Sequence, residues 1–179
     1  MLPISYALLC TLFAAGIKAE QCAVVEPRFW IFEALLIGGE KTWHAQEQYG
    51  TATILSSKCY SIGYYLQDYS LLHNEFDAPY RYYDERNTKQ AVNIRTYVIG
   101  NKAKYYAIVN NKEITLTLIA LNWHWIVFYG CQEGEGAVII LTMQKTRNER
   151  LIAEATEAAR KVVRLPSHSK DMHCNSTDL

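Results

Sequence analysis

The sequence predicts an all-β fold, an eight-stranded antiparallel up-and-down barrel with one C-terminal α-helix packed outside it. Three observations carry that expectation. Tyrosine is abundant, with 13 in 179 residues, and tyrosine favours the half-buried pleated positions of strands. Short runs of strand-forming residues recur with turn residues between them. The last run gives way to a segment whose apolar residues repeat at helical spacing. About eight strands in meander order can close on themselves, which removes exposed edges and leaves room for one small ligand.

The chain opens with a segment that is set apart from the fold. Met1 to Ala19 runs through the apolar stretch Tyr6 to Ala15 and closes on Ile17-Lys18-Ala19, the pattern of a secretory signal peptide cleaved before Glu20. The apolar run falls short of the roughly 20 residues that a membrane-spanning helix needs. Residues 20–179 are then expected to be one exported domain, with room for a sizeable core. Five cysteines become four when Cys10 leaves, an even number in an oxidising compartment, so disulfides are expected. No two of Cys22, Cys59, Cys131 and Cys174 stand close enough for half of a zinc site, and no metal is expected.

The barrel is expected over about residues 43–145. A first aromatic-bearing strand falls in Trp43 to Ile54, and Ser57 to Gln67 (SKCYSIGYYLQ) gives a second. Ser70 to Tyr83 is interrupted by Asp77-Ala78-Pro79, which predicts an edge, a bulge or a break. Lys89 to Ile99 and Lys102 to Val109 flank Gly100-Asn101, a tight hairpin signal. After Asn110-Asn111 comes Glu113 to Leu121, where Ile114, Leu116 and Leu118 alternate with Thr115 and Thr117. Trp123 to Cys131 and Ala137 to Gln144 complete the set, joined by Glu133-Gly134-Glu135-Gly136.

From about Arg147 to Val163 the period changes. Leu151, Ile152, Ala155, Ala159 and Val162 share one face and Glu149, Arg150, Glu154, Glu157 and Arg160 the other, so an amphipathic helix packed on the sheet is expected, ending near Pro166. The polar tail 164–179 needs a tether, and Cys174 supplies it. Asn175-Ser176-Thr177 is an N-glycosylation sequon, which makes Asn175 a modification candidate.

Several function classes find little support. Lys+Arg and Asp+Glu both number 18, so no electrostatic field favours nucleic acid. Neither a Gly-x-Ser-x-Gly elbow nor a phosphate-binding glycine loop occurs. Asp68, Asp77, Asp84 and Glu85 sit near strand ends, where carboxylates are common turn formers. No enzyme activity and no obligatory cofactor are expected.

The whole stretch after the signal peptide resembles a lipocalin of the apolipoprotein D and insect bilin-binding branch. Trp43 takes the place of the tryptophan that begins the lipocalin barrel. Lys58 to Leu66 (KCYSIGYYL) resembles the family's second strand, Trp125 to Cys131 (WIVFYGC) its seventh, and Ile139-Ile140-Leu141 falls where the eighth is expected. Lys41-Thr42-Trp43 departs from the family motif in lacking glycine two residues before the tryptophan, and Leu121-Asn122-Trp123 stands where Thr-Asp-Tyr is usual. The arginine that packs over the first tryptophan is replaced near its place by Met143, with Lys145 close by.

The resemblance implies that Cys22 bonds Cys131 and that Cys59 bonds Cys174. If those disulfides lie outside the barrel, residues of opposite parity face inward. The cavity candidates are then Tyr60, Ile62, Tyr64 and Leu66 on the second strand and His124, Ile126 and Phe128 on the seventh. The implied function is a secreted, extracellular carrier of a small hydrophobic ligand (lipid, sterol, fatty acid, retinoid or bilin pigment). A receptor or a homodimer are further partners to consider. The alternative is a barrel scaffold that acts through its loops on a protein partner.

Overall fold

The structure is a computed structural model and describes residues 22–55, 58–64, 69–70, 73–84 and 86–174. The predicted signal peptide lies outside the described residues. A short helix α1 (Ile31–Gly38) precedes strands β1 (Lys41–Tyr49), β2 (Tyr60–Tyr64), β3 (Glu75–Tyr83), β4 (Lys89–Val98), β5 (Lys104–Val109), β6 (Lys112–Leu121), β7 (Trp125–Gln132) and β8 (Glu135–Thr142). Helix α2 (Glu149–Arg160) and a three-residue strand β9 (Ser169–Asp171) follow. Each of β2 to β7 pairs antiparallel with the next, and β1 pairs with both β8 and β2, which closes the barrel. The fold class is the one the sequence predicts.

Closure leaves β1 with a divided edge. Lys41 to His44 pair with β2, whereas Glu47 to Tyr49 pair with β9, and a bulge between Ala45 and Glu47 marks the change. The tail strand thus covers the edge that β2 leaves open, as an exposed edge requires. Helix α1 and strand β9 were not anticipated. The sequence of α1 (IFEALLIG) is apolar nearly all round and shows no polar face to give it away.

Turn chemistry sets the registers. Asn110 and Asn111 both adopt left-handed backbone, as do Glu133 and Gly134, and each pair joins directly opposed strand ends (Val109 with Lys112, Gln132 with Glu135). Those are the positive-φ pairs that two-residue hairpins need. Gly100-Asn101 belongs to a longer connection, because β4 and β5 last pair at Val98 and Tyr105 and Lys102 bridges back to Trp30. β3 runs unbroken through Asp77-Ala78-Pro79, paired to β4 along its whole length. Pro79 is tolerated because it lies just past the last β2 pair, Ile62 with Tyr80, where no partner asks for its missing N–H.

Side-chain alternation divides the apolar residues between two cores. Ala137, Ile139 and Leu141 of β8 face the barrel interior with Ile126, Tyr60, Phe76, Tyr80 and Trp43. Val138 and Ile140 of the same strand, with Trp125 and Val127 of β7 and Ile119 of β6, pack outside against Leu151, Ile152, Ala155 and Ala159 of α2. The helix is capped by Asn148, whose side chain accepts from the Leu151 N–H. Tyr49 on β1 makes a hydroxyl contact with Thr156 of α2 at 3.2 Å.

Candidate functional site: the barrel interior and its mouth

Strand parity places aromatic residues in two contiguous groups inside the barrel. Tyr82 stacks on Tyr80 at 4.8 Å between ring centroids, and Tyr80 meets Tyr60 at 5.7 Å. Tyr105 meets Phe76 and Phe128 edge to face, each at 6.0 Å. Between these groups lies a void of about 40 Å³, lined by Trp43, Leu55, Tyr60, Ile62, Phe76 and Phe128, among others. A water occupies one probe sphere of about 10–15 Å³ by this measure, so the void as it stands holds a few waters and no larger ligand.

The polar content of this interior is small and specific. Thr96 reaches the void, and its hydroxyl donates to Ile94 O at 3.2 Å. Tyr60 is fully buried and its hydroxyl finds no hydrogen-bond partner among the described residues. Burial pushes that hydroxyl well above its ordinary pKa, so it stays protonated and able to donate. An unmet buried donor costs about 1–3 kcal/mol, and a ligand oxygen could recover it.

The base of the barrel is sealed. Trp43 is fully buried, lines the void and donates its indole N–H to Gly38 O of α1 at 2.9 Å. Leu35 of α1 is also buried in the interior core. The cation over Trp43 is Lys41, with Nζ 5.6 Å from the ring centroid and bonded to Ile37 O at 2.8 Å. Met143, at the place where the resemblance expects an arginine, is instead exposed.

A recess of about 520 Å³ lies between the β3–β4, β5–β6 and β7–β8 ends and the β1–β2 connection, lined by Thr53, Leu55, Tyr82, Tyr83, Arg86 and Lys112, among others. Leu55 lines both this recess and the inner void, and is the partition between them. Its φ of +65° lies in the left-handed region, which costs a non-glycine residue about 1–2 kcal/mol. The preceding Ile54 is fully buried and rests against Gly130 of β7, where a Cβ would come within 2.8 Å of the Ile54 side chain. Gln48 holds the same connection by donating to Ala52 O at 2.5 Å.

The structure therefore gathers Tyr60, Ile62, Ile126 and Phe128 around the void with Trp43 at its base. His124 departs from the expected set: β7 begins at Trp125, and His124 sits exposed in the turn that Asn122 closes by accepting from the His124 and Trp125 N–H groups. Tyr64 is placed on β2 by its backbone, and Leu66 and Asn175 lie outside the described residues. Sequence reasoning missed Phe76, Ala78, Tyr105, Leu116, Ile139 and Leu141 on the other strands. The same parity argument, carried across the ladder from Ile126 to Leu141 and Phe128 to Ile139, would have found the last two. Leu55 gave no signal in the sequence.

Both disulfides connect the expected partners, Cys22 with Cys131 and Cys59 with Cys174, at Cα separations of 5.8 and 5.1 Å. Of the carboxylates expected near strand ends, Asp77 lies within β3 and pairs with Arg95, and Asp84 accepts from the Thr88 N–H and from Gln90, while Asp68 and Glu85 lie outside the described residues. Those contacts hold the Asp84 carboxyl below its ordinary pKa. Among the described residues, no group of three or more His, Cys, Asp or Glu is arranged to hold a metal ion.

A closed eight-stranded meander barrel, sealed at one end by a helix before β1 and flanked outside by a helix after β8, is a lipocalin-like fold. Solved structures agree: lobster apocrustacyanin A1 superposes with a TM-score of 0.67 at 12% identity over 88% of this chain and 91% of that one. The amine-binding protein of Rhodnius prolixus, solved as a tryptamine complex, gives 0.61 at 14% identity over 84% and 85%. The siderocalin Ex-FABP, described as functioning through dual ligand specificities, gives 0.56 at 10% identity over 76% and 95%. No family model matches the sequence, and no curated protein matches it. The fold is thus shared while the sequence has diverged far from these neighbours.

Proposed function

We propose that this protein is a secreted, extracellular carrier that takes one small, mainly apolar molecule into the barrel, with no chemical turnover. The observation that carries the reading is the interior itself: an aromatic and aliphatic lining that includes the unsatisfied Tyr60 hydroxyl, with Leu55, among the described residues, standing between it and the mouth. Ligand sites of about 300–1,000 Å³ combine apolar walls with a few placed polar groups. Moving Leu55 aside joins the void to the recess and reaches that range. Burial of apolar surface at about 25 cal/mol per Å² then supplies affinity, and the Tyr60 hydroxyl selects for an acceptor atom on the ligand. The tyrosine stack suits a planar or elongated molecule such as a retinoid, sterol, fatty acid or bilin. Fold neighbours named for an amine and for dual ligands support the class.

Secretion belongs to the same proposal, supported by two disulfides and the N-terminal leader pattern. Placement in the apolipoprotein D-like branch is supported by the disulfide pairing, and a glycan at Asn175 by its sequon.

Titration with retinol, a fluorescent fatty acid and biliverdin, read by quenching of tryptophan emission, tests the carrier reading. Saturable one-to-one binding is expected for at least one of them. Tyr60→Phe is expected to weaken a ligand bearing an acceptor roughly tenfold while leaving the ligand-free protein equally or more stable, because the unmet donor is gone. Tight binding that ignores Tyr60 would place the ligand elsewhere. The small present volume of the void favours a second reading, a filled barrel acting through its loops on a protein partner. That reading gains if none of the probes binds and organic extraction of native protein yields no ligand.

A further inference from the structure

We propose that the closed end of the barrel docks on an anionic lipid surface, leaving the mouth facing water. Four large apolar side chains stand in solvent there: Trp30 is 48% exposed, Phe32 61%, Leu36 74% and Trp123 58%. Soluble monomers rarely leave a contiguous apolar patch uncovered without a use for it. Helix α1 buries Ile31, Ala34, Leu35 and Gly38 on the barrel, so its other face shows Phe32 and Leu36, one turn apart. The only acid in its first turn, Glu33, is turned back to accept from the Trp30 N–H at 2.8 Å.

Direct contacts make these residues one surface. Lys41 Nζ bonds Ile37 O, next to Leu36, and lies 4.9 Å from the Trp123 ring centroid. His124, beside Trp123, accepts through its carbonyl from the N–H of Met143, which is itself 39% exposed. At the other side Lys102 Nζ lies 3.8 Å from the Trp30 ring centroid. The registers place all of these at one end: the start of β1, the β4–β5 connection and the β6–β7 turn.

The chemistry favours a bilayer interface over a second protein. Indole rings settle at headgroup depth, and lysines laid against them keep their ammonium groups in the same plane. Lys104 and Lys145 lie two residues along the chain from Lys102 and Met143; with Lys41 and Lys102 they stand against Glu33, Glu40 and, at the start of β3, Glu75 among the described residues, a small positive excess that suits acidic headgroups. An isologous dimer through this patch would bring the same lysines toward each other.

Flotation of the full protein with phosphatidylcholine vesicles, with and without phosphatidylserine, reads the proposal directly. Partition is expected on the phosphatidylserine vesicles, weakening at high salt, with tryptophan emission quenched by brominated acyl chains. The double variant Phe32→Ser/Leu36→Ser should lose roughly tenfold or more of that partition. Ile108→Ser, exposed near the mouth, should lose none. Both sites of the double variant are exposed, so unchanged thermal midpoints are expected, and Glu40→Lys gives a second test by strengthening partition on the acidic vesicles. The proposal is overturned if neither vesicle binds, if the double variant partitions like the parent, or if Glu40→Lys brings no gain. Sedimentation showing a dimer that the double variant dissolves would assign the patch to a second copy instead.

Discussion

The two ends of the barrel are built on different principles. At the closed end the contacts are specific: fully buried Trp43 bonds Gly38, part-buried Lys41 bonds Ile37 with its ammonium against two indole rings, and α1 inserts Leu35. At the mouth the cover is a connection whose described residues form no regular structure, held by side-chain hydrogen bonds from Gln48 to Ala52 O and from Lys58 to Asp84 O, by the Cys59–Cys174 disulfide where it meets β2, and by Ile54 wedged over Gly130, with Leu55 in a left-handed backbone conformation. The contrast teaches where rigidity resides. A carrier needs a base that holds its shape and a rim that yields, and local stability in proteins is distributed in just this uneven way.

Breaking the base should have the largest effect. Trp43→Ala removes a fully buried ring from the junction of α1, β1 and the void, and loss of a buried tryptophan costs about 3–5 kcal/mol. Chemical denaturation should report a loss of that size, together with earlier hydrogen exchange in α1. A loss below about 1 kcal/mol would mean that α1 does not seal the barrel.

Much of this was legible beforehand, and what was not has physical reasons. β6, where inward Ile114, Leu116 and Leu118 alternate with Thr115 and Thr117, declared itself by period even though its outer face is buried at Thr117 and Ile119. The disulfide pairing gave the inward parity of β7 correctly for Ile126 and Phe128, and failed at His124 only because the strand begins one residue later. Helix α1 stayed hidden because it lies between the barrel and an exposed apolar face, so it carries no amphipathic signature. Lys41 could be seen as a departure from a motif but not as a cation laid over Trp43. Leu55 acts through a loop conformation, and loop conformations leave no periodic trace.

A smaller effect is expected at the tail, between the two ends. Arg147 is bonded to Glu47 at 2.8 Å, to Gln46 O at 3.0 Å and to Glu149, and it pairs with Asp171 at 3.2 Å, so it ties β1, α2 and β9 together. The bond to Glu149, with Glu47 and Asp171 behind it, raises the Arg147 pKa against the effect of burial. For Asp171 burial acts upward, but the His173 backbone and side-chain hydrogen bonds and the Arg147 charge outweigh it and hold its carboxyl below the ordinary value. A depressed carboxylate adds stability that is present above its unfolded pKa of about 3.9 and is lost as pH falls through the folded value. Asp171 is half exposed, which limits the contribution to about 1 kcal/mol or less. Protection of the Met172 N–H, bonded to Gln46 O, measured against its intrinsic exchange rate at each pH, should therefore fall as pH drops below about 4, before the barrel strands respond. Simultaneous loss in both would show that the tail is not a separate unit.

The smallest effect on stability, and the sharpest on function, is expected at the rim. Leu55→Gly relieves a left-handed residue of about 1–2 kcal/mol, loses part of a half-buried side chain, and gives back about 0.5–1 kcal/mol to the unfolded chain. These contributions nearly cancel, so the midpoint of unfolding should move little. The partition between recess and void disappears, however, and stopped-flow binding of retinol or a fatty acid should show a higher association rate. Were Leu55→Gly to destabilise the protein as much as Trp43→Ala, the rim would be a second base and the barrel a filled one. Were it neutral in stability but without effect on the rate, ligands would reach the interior by a route other than Leu55.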